Sequence, residues 1–351
     1  MQNPPDNLAV FLDHVGDGVT VQDPSGRLVY ANAVAARNLG FASATEFLAA
    51  PIGEVVGRFA LFDEDGQPFP VVNLPGRQAL QGEPESTVTV RFRVQETGEE
   101  RWSIIRSSPV LDADGSVLYA VNVWQDATAQ KRAEAAQRFL AEAGEALATS
   151  LDVEATLANI ARLAVPRLAD WCVVHLVQDD GSVSQLAVAH VDPERIAWAR
   201  QLQKQYPADP DADQGVMRAV RTGQPELVPE VTDAMLVAVA RDPEHLVMLR
   251  RVGLTSAMIV PMIARERSVG AISFAAAESR HRYDERDLEL TQELARRAAL
   301  AVDNAHLYDA ERAARLQAEA ARVQFRGLFE GVPDAILVVD ATGHFIEANA
   351  A

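Results

Sequence analysis

The chain has a single cysteine, Cys172, so no disulfide can form within it, which agrees with a reducing compartment. Positive charge is also scarce: 32 basic residues stand against 50 acidic ones, for a formal net charge of −18. Such a chain repels a phosphate backbone on average, and nucleic acid is not an expected partner. Long apolar runs are missing. No stretch approaches the roughly 18 residues of a membrane span, and Met1-Gln2-Asn3-Pro4-Pro5-Asp6 lacks the basic and apolar segments of a signal peptide. A cytoplasmic location is the expectation. Catalytic signatures are absent as well: there is no phosphate-binding loop, dinucleotide fingerprint, paired-cysteine zinc pattern or nucleophile elbow. The residues present are expected to hold no catalytic centre.

What is there suffices for two or three ordinary domains, since 351 residues at 48% hydrophobic can bury real cores. The most informative feature is an internal repeat. Phe11 to Val34 (FLDHVGDGVTVQDPSGRLVYANAV) aligns without a gap to Leu328 to Ala351 (LFEGVPDAILVVDATGHFIEANAA) with eight identities in 24 positions. Average composition gives roughly two. The informative matches are Val15/Val332, Asp17/Asp334, Val21/Val338, Asp23/Asp340, Gly26/Gly343 and Asn32/Asn349. In each copy an Asp-x-x-Gly turn between two β-rich runs predicts a hairpin, with Asp bonding the turn and Gly free to take positive φ. Asn32 and Gly40 then bracket a short helix as N-cap and C-cap. The second copy stops at that helix, and half a sheet cannot cover its apolar face, so a cut-off second domain is expected.

Hairpin, Asp-x-x-Gly turn and "ANA" helix entry resemble the start of a PAS domain. Strand-like runs at Val88 to Val94, Arg101 to Val110 and Val117 to Gln125, separated by turn signals at Thr97-Gly98 and Asp112 to Gly115, resemble the rest of its antiparallel sheet. The following Asp126-Ala-Thr128-Ala-Gln-Lys131-Arg132-Ala-Glu134 is similar to the exit of PAS domains into a signalling helix, with Ala127 in place of the usual larger apolar residue. Asp126 or Thr128 can cap that helix, which would link sheet and helix mechanically.

The middle of the chain reads as one α/β unit. An amphipathic helix is predicted from Asp152 to Leu168, then a hairpin of Trp171 to Val177 and Val183 to His190, and helices over Pro193 to Tyr206, Gly215 to Arg221 and Ala234 to Val252. Strands at Ser256 to Ala264 and Ser268 to Ala276 flank a charged turn, and a long helix closes the unit. "LADWCVVHLV", "GLTSAMIVPMIARERSVGAISF" and "YDERDLELTQELARRAALAVDNAHLY" resemble the GAF domains of bacterial sensor kinases and of serine phosphatases with regulatory GAF modules. The expected organisation is therefore a short tail (1–7), a PAS domain (8–128), a linker helix (129–150), a GAF domain (151–309), a second linker helix (310–324) and the start of a second PAS domain (325–351). The fold class is mixed α+β and α/β, with antiparallel sheets flanked by helices and joined by long signalling helices.

The resemblances also bear on cofactors. A bilin of the phytochrome type needs an attachment cysteine, and Cys172 sits in a strand as an ordinary buried residue. Covalent flavin chemistry needs a cysteine in the helix after the hairpin, where Ala33 to Leu39 has none. No haem motif surrounds His14, His175, His190, His245, His281, His306 or His344. No cofactor is expected. Nor is a metal: Asp209, Asp211 and Asp213 alternate like the opening of a calcium loop, but Gln214 and Val220 occupy the positions that need Gly and Glu.

Signal relay needs an element that a neighbour can shift. Leu288, Ala295, Val302, Leu316 and Val323 fall on one seven-residue grid, broken by Asp309, and suit the seam of a parallel helical homodimer. Together with Asp126 and Thr128 they are the candidate relay residues. The expected function is sensory input and relay, most like the input half of a sensor histidine kinase that receives a small ligand or partner and acts on a downstream output domain or response regulator. Input to a serine/threonine phosphatase or a diguanylate cyclase is the alternative, and a stand-alone interaction module is a third reading.

Overall fold

The computed structural model describes residues 12–351 apart from 96–99, 149, 151, 179, 208, 332, 335–336 and 349–351. It divides into two compact units, residues 1–137 and 138–351. The Thr97-Gly98 turn and Asn349, the second copy's cap, lie outside the described residues.

The first unit opens with the expected hairpin, β1 (Gly18–Gln22) and β2 (Leu28–Ala31). Its turn forms as predicted: the Asp23 carboxylate accepts from the Ser25 and Arg27 backbone N–H groups, and Gly26 takes φ +82°. The second copy closes β12 (Leu337–Val339) onto β13 (Phe345–Ala348) in the same way, with Thr342 and His344 donating to Asp340 and Gly343 at φ +87°. Three short helices follow in the first unit: α1 (Ala33–Asn38), α2 (Ala44–Ala49) and α3 (Ile52–Gly57). After them come β3 (Phe59–Phe62), α4 (Pro75–Leu80), β4 (Ser86–Val94), β5 (Glu100–Leu111) and β6 (Val117–Asp126). The sheet runs β2-β1-β6-β5-β4-β3, antiparallel throughout. Ala31, Ala35, Ala36, Phe41, Phe47 and Val55 form a core beneath the short helices.

Helix α5 (Thr128–Ala148) begins in this unit, and its later turns belong to the second, where Phe139, Ala143 and Leu147 are buried in the main core. Those turns of the expected linker are thus part of a domain. The second unit continues with α6 (Val153–Ala164), β7 (Trp171–Val177), β8 (Val183–Ala189), α7 (Pro193–Gln205) and α8 (Gly215–Thr222). It goes on through β9 (Glu226–Val228), α9 (Asp233–Val239), α10 (Pro243–Val252), β10 (Ser256–Ala264), β11 (Arg267–Ala276) and α11 (Glu285–Gly331). The sheet order is β8-β7-β11-β10-β9, again antiparallel.

Three differences from the sequence expectation have local causes. Helix α6 stops at Ala164 rather than Leu168, because Pro166 has no N–H to donate and holds Val165 extended. The helix expected over Ala234 to Val252 is two helices, since Asp242 takes an extended conformation and caps α10 through the His245 N–H, with Pro243 in the first turn. Strand β9 is three residues long and exists by pairing with β10.

One face of the second sheet, with Cys172, Val174, Met258, Val260, Ile272 and Phe274, packs on α5, α6 and α11. Cys172 is fully enclosed there, and burial pushes its thiol well above the usual range. Trp171, Val188 and Ala277 form a second cluster with Ile196, Ala199 and Val252.

Candidate functional site

Strand register builds a polar inner face in the first unit. Thr20 pairs with Asn122, Asn122 with Ser107, and Trp124 with Ile105, so all five side chains share one side of the sheet. Four of them form a chain of hydrogen bonds: Ser107 Oγ donates to Asn122 Oδ1 (2.6 Å), while Asn122 Nδ2 (3.2 Å) and Trp124 Nε1 (3.3 Å) both donate to Thr20 Oγ1. Helix α4 lies directly on this network. A Cβ on Gly76 would come within 2.4 Å of Asn122 Oδ1 and 2.9 Å of Gln22 Oε1, so only glycine permits that approach.

Beside the network lies a cavity of about 510 Å³, within the usual range for small-molecule sites. Phe47, Val55, Phe59, Leu61, Phe92 and Ile105 supply apolar walls, Thr20, Gln22, Asn122 and Trp124 a polar edge, and Arg77 the one ionised side chain among the lining residues. Sequence reading did not single out these residues. Their only signal is polar residues at the inward phase of strands, such as Thr20 and Gln22, and that phase is defined by register.

The two predicted exit residues lie at the end of the same sheet. Asp126 Oδ1 accepts from the Thr128 N–H (2.8 Å), as an N-terminal cap would. The Thr128 hydroxyl does something else. It accepts from the Trp102 N–H (2.9 Å) on β5, while the Ala127 N–H donates to the Trp102 carbonyl (2.9 Å). Lys131 adds an ion pair to Glu64 (2.6 Å). The first turn of α5 is therefore stitched to the strand that also carries Ile105 of the cavity wall. Replacing Thr128 with Val should cost about 1 kcal/mol and leave the Trp102 N–H without its acceptor. Hydrogen exchange at Trp102 and in the first turn of α5 should accelerate, and unchanged protection there would show that the stitch is unimportant.

The long-helix grid divides. Leu288 is half-buried against the core, and Ala295 (0% exposed) and Val302 (1%) are inside it, so these three cannot form a seam while the domain is folded. The physical reason is that a seven-residue apolar row serves equally well against a helix's own domain. Leu316 (58%) and Val323 (69%) are exposed.

In the second unit, Trp171 and His175 of β7 and Ser273 of β11 share the face opposite the main core, by the pairs Trp171↔Ala275, Val173↔Ser273 and His175↔Ala271. Trp171 Nε1, His175 Nδ1 and Ser273 Oγ are buried without a hydrogen-bond partner. Burial lowers the His175 pKa to about 4. Among the described residues no group of three or more His, Cys, Asp or Glu converges to hold a metal, and no helix is long and apolar enough to cross a membrane.

The helix-capped antiparallel sheet with its cavity and the second sheet between helical layers are PAS and GAF folds, and the family matches identify the chain as a sensory region of a signalling protein. Residues 12–132 match the family model described as PAS fold, residues 150–303 that of the GAF domain, and residues 323–351 that of a PAS domain. A blue-light-activated histidine kinase of Rhizobium johnstonii is 28% identical over 132 residues, which are 36% of this chain and 38% of that protein. Among solved structures, the GAF domain of an Acinetobacter phosphoenolpyruvate-protein phosphotransferase is 13% identical, covers 49% of this chain and 94% of its own, and has a TM-score of 0.38. The PAS domain of a Colwellia psychrerythraea protein is 17% identical over 35% of this chain and 95% of its own, with a TM-score of 0.27.

Proposed function

We propose that this chain is the cytoplasmic input region of a histidine kinase, in which an occupant of the PAS cavity is reported through α5 to an output domain of the intact protein. The observation that carries this reading is the shared sheet: β5 and β6 present Ile105, Asn122 and Trp124 to the cavity and hold the start of α5 through Trp102 and Asp126. Strands that give way at the cavity move the anchor two or three residues away, and the ligand's preference for one arrangement biases the helix. The kinase reading draws on the Rhizobium relative; input to a phosphatase or a diguanylate cyclase remains the alternative.

The test is a cavity-filling variant. Val56 lines the cavity and is half-buried, so Val56→Trp should occupy the space an occupant would take. Hydrogen exchange in the full chain should change at Thr128–Lys131 as well as around the cavity. A change confined to the cavity would sink the relay.

The output end of the relay is proposed to be a homodimer joined by the distal half of α11, with Leu316 and Val323 as its seam. Introducing Leu316→Glu and Val323→Glu together places charge in that contact and should convert dimer to monomer at micromolar concentration, with both units still folded because neither side chain is buried in a core. Light scattering decides it, and a monomeric native chain at tens of micromolar rules the seam out.

A further inference from the structure

The cavity's chemistry narrows its occupant. Its buried side-chain acceptors are already engaged: Asn122 Oδ1 takes the Ser107 proton, and Thr20 Oγ1 takes N–H groups from both Asn122 and Trp124. Gln22 Oε1 is turned toward the α4 backbone at Gly76, and Gln22 Nε2 donates to the Gly26 carbonyl. A ligand rich in donors would therefore find few groups to accept them. No carboxylate lines the cavity, so an ammonium or guanidinium ligand would be desolvated without a counter-charge. In a chain of net charge −18 the single ionised lining group is nonetheless a cation. Arg77 is exposed at the rim, and among the described residues its guanidinium makes no hydrogen bond or ion pair. Its planar fork of donors matches a carboxylate in two parallel hydrogen bonds.

We propose that the PAS cavity takes a small carboxylic acid with an apolar body, the carboxylate held by Arg77 at the rim and the body against Phe47, Phe59, Phe92 and Ile105. This rests on the reading of the cavity as the input site. One cation selects one negative charge, and the apolar walls select a hydrocarbon chain or ring over a polyol or a second ionised group. The carboxylate stays near water, so its desolvation is modest, and binding weakens as salt screens the pair.

Titration calorimetry on the full chain at low salt, with decanoate, decanol and decylamine as probes, tests the class. Decanoate should bind at least about tenfold more tightly than decanol, and decylamine not measurably. Arg77→Gln should remove the preference for decanoate while leaving decanol unchanged; Arg77 is exposed and packs in no core, so the variant folds. Val56→Trp should abolish binding of both, which ties them to this cavity. Equal affinities for acid and alcohol, indifference to Arg77→Gln, binding that survives Val56→Trp, or no binding of any probe each overturns the proposal. If decanoate binds through Arg77 yet leaves exchange at Thr128–Lys131 unaltered, the ligand class stands and the relay falls, so the two failures are distinct.

Discussion

Replacing Asn32 with Ala should unfold the first unit more readily than any other single polar substitution in it, at a cost of about 3–5 kcal/mol. The side chain is fully enclosed and does four things at once. Its Oδ1 accepts from the Val19 N–H (2.9 Å) of β1 and from the Ala35 N–H (2.8 Å) of α1; its Nδ2 donates to the carbonyls of Leu12 and Asp17 (2.9 Å each). One amide thus caps a helix, bonds a neighbouring strand and ties down the segment before β1. Alanine leaves buried donors and acceptors unpaired where water cannot reach them, which costs far more than the net value of the bonds made. Asn32→Ser should recover only the share due to the cap, about 1 kcal/mol, because the shorter side chain cannot reach the others. In calorimetry the transition of the first unit should fall by about 10–20 °C while that of the second stays in place. A fall of only a few degrees would mean that the network relaxes around the loss.

The second large effect is on pH. His175 lies on the face of the second sheet opposite the main core, with Nδ1 unpartnered, and burial lowers its pKa from 6.5 to about 4. Between those values the unfolded chain binds a proton that the folded chain refuses, so acid favours unfolding. The stability linked to this group is complete above pH 6.5 and is lost as pH falls toward and through 4, approaching about 3 kcal/mol in all. His175→Leu removes the proton site and the orphaned nitrogen together. The variant should be at least as stable as the native chain at pH 7, and its urea midpoint should fall less than the native one between pH 6.5 and 4.5, the carboxylates being common to both proteins. Parallel pH curves for the two proteins would show that His175 gains a proton as easily folded as unfolded.

Both effects mark the line between what a chain states locally and what it decides only on folding. The repeat, the Asp-x-x-Gly turns, the helix cap at Asn32, the strand periods and the overall PAS–GAF–PAS order were legible, because each depends on residues a few positions apart: an Asp beside the amide it accepts from, a Gly where φ must be positive. Asp126 and Thr128 were legible as a junction, though not that Thr128 would reach across to Trp102. The rest came from register and packing. Thr20, Gln22, Asn122 and Trp124 are ordinary strand residues until antiparallel pairing places them together around a cavity, and Arg77 is one exposed arginine until α4 settles at its rim. Leu288, Ala295 and Val302 share their grid with Leu316 and Val323, and no local pattern separates the half of a 47-residue helix that lies on its own sheet from the half that faces solvent. That separation depends on where the domain ends beside the helix, and therefore on contacts between residues more than a hundred positions apart, such as the Arg297 guanidinium donating to the Leu140 carbonyl at 2.8 Å.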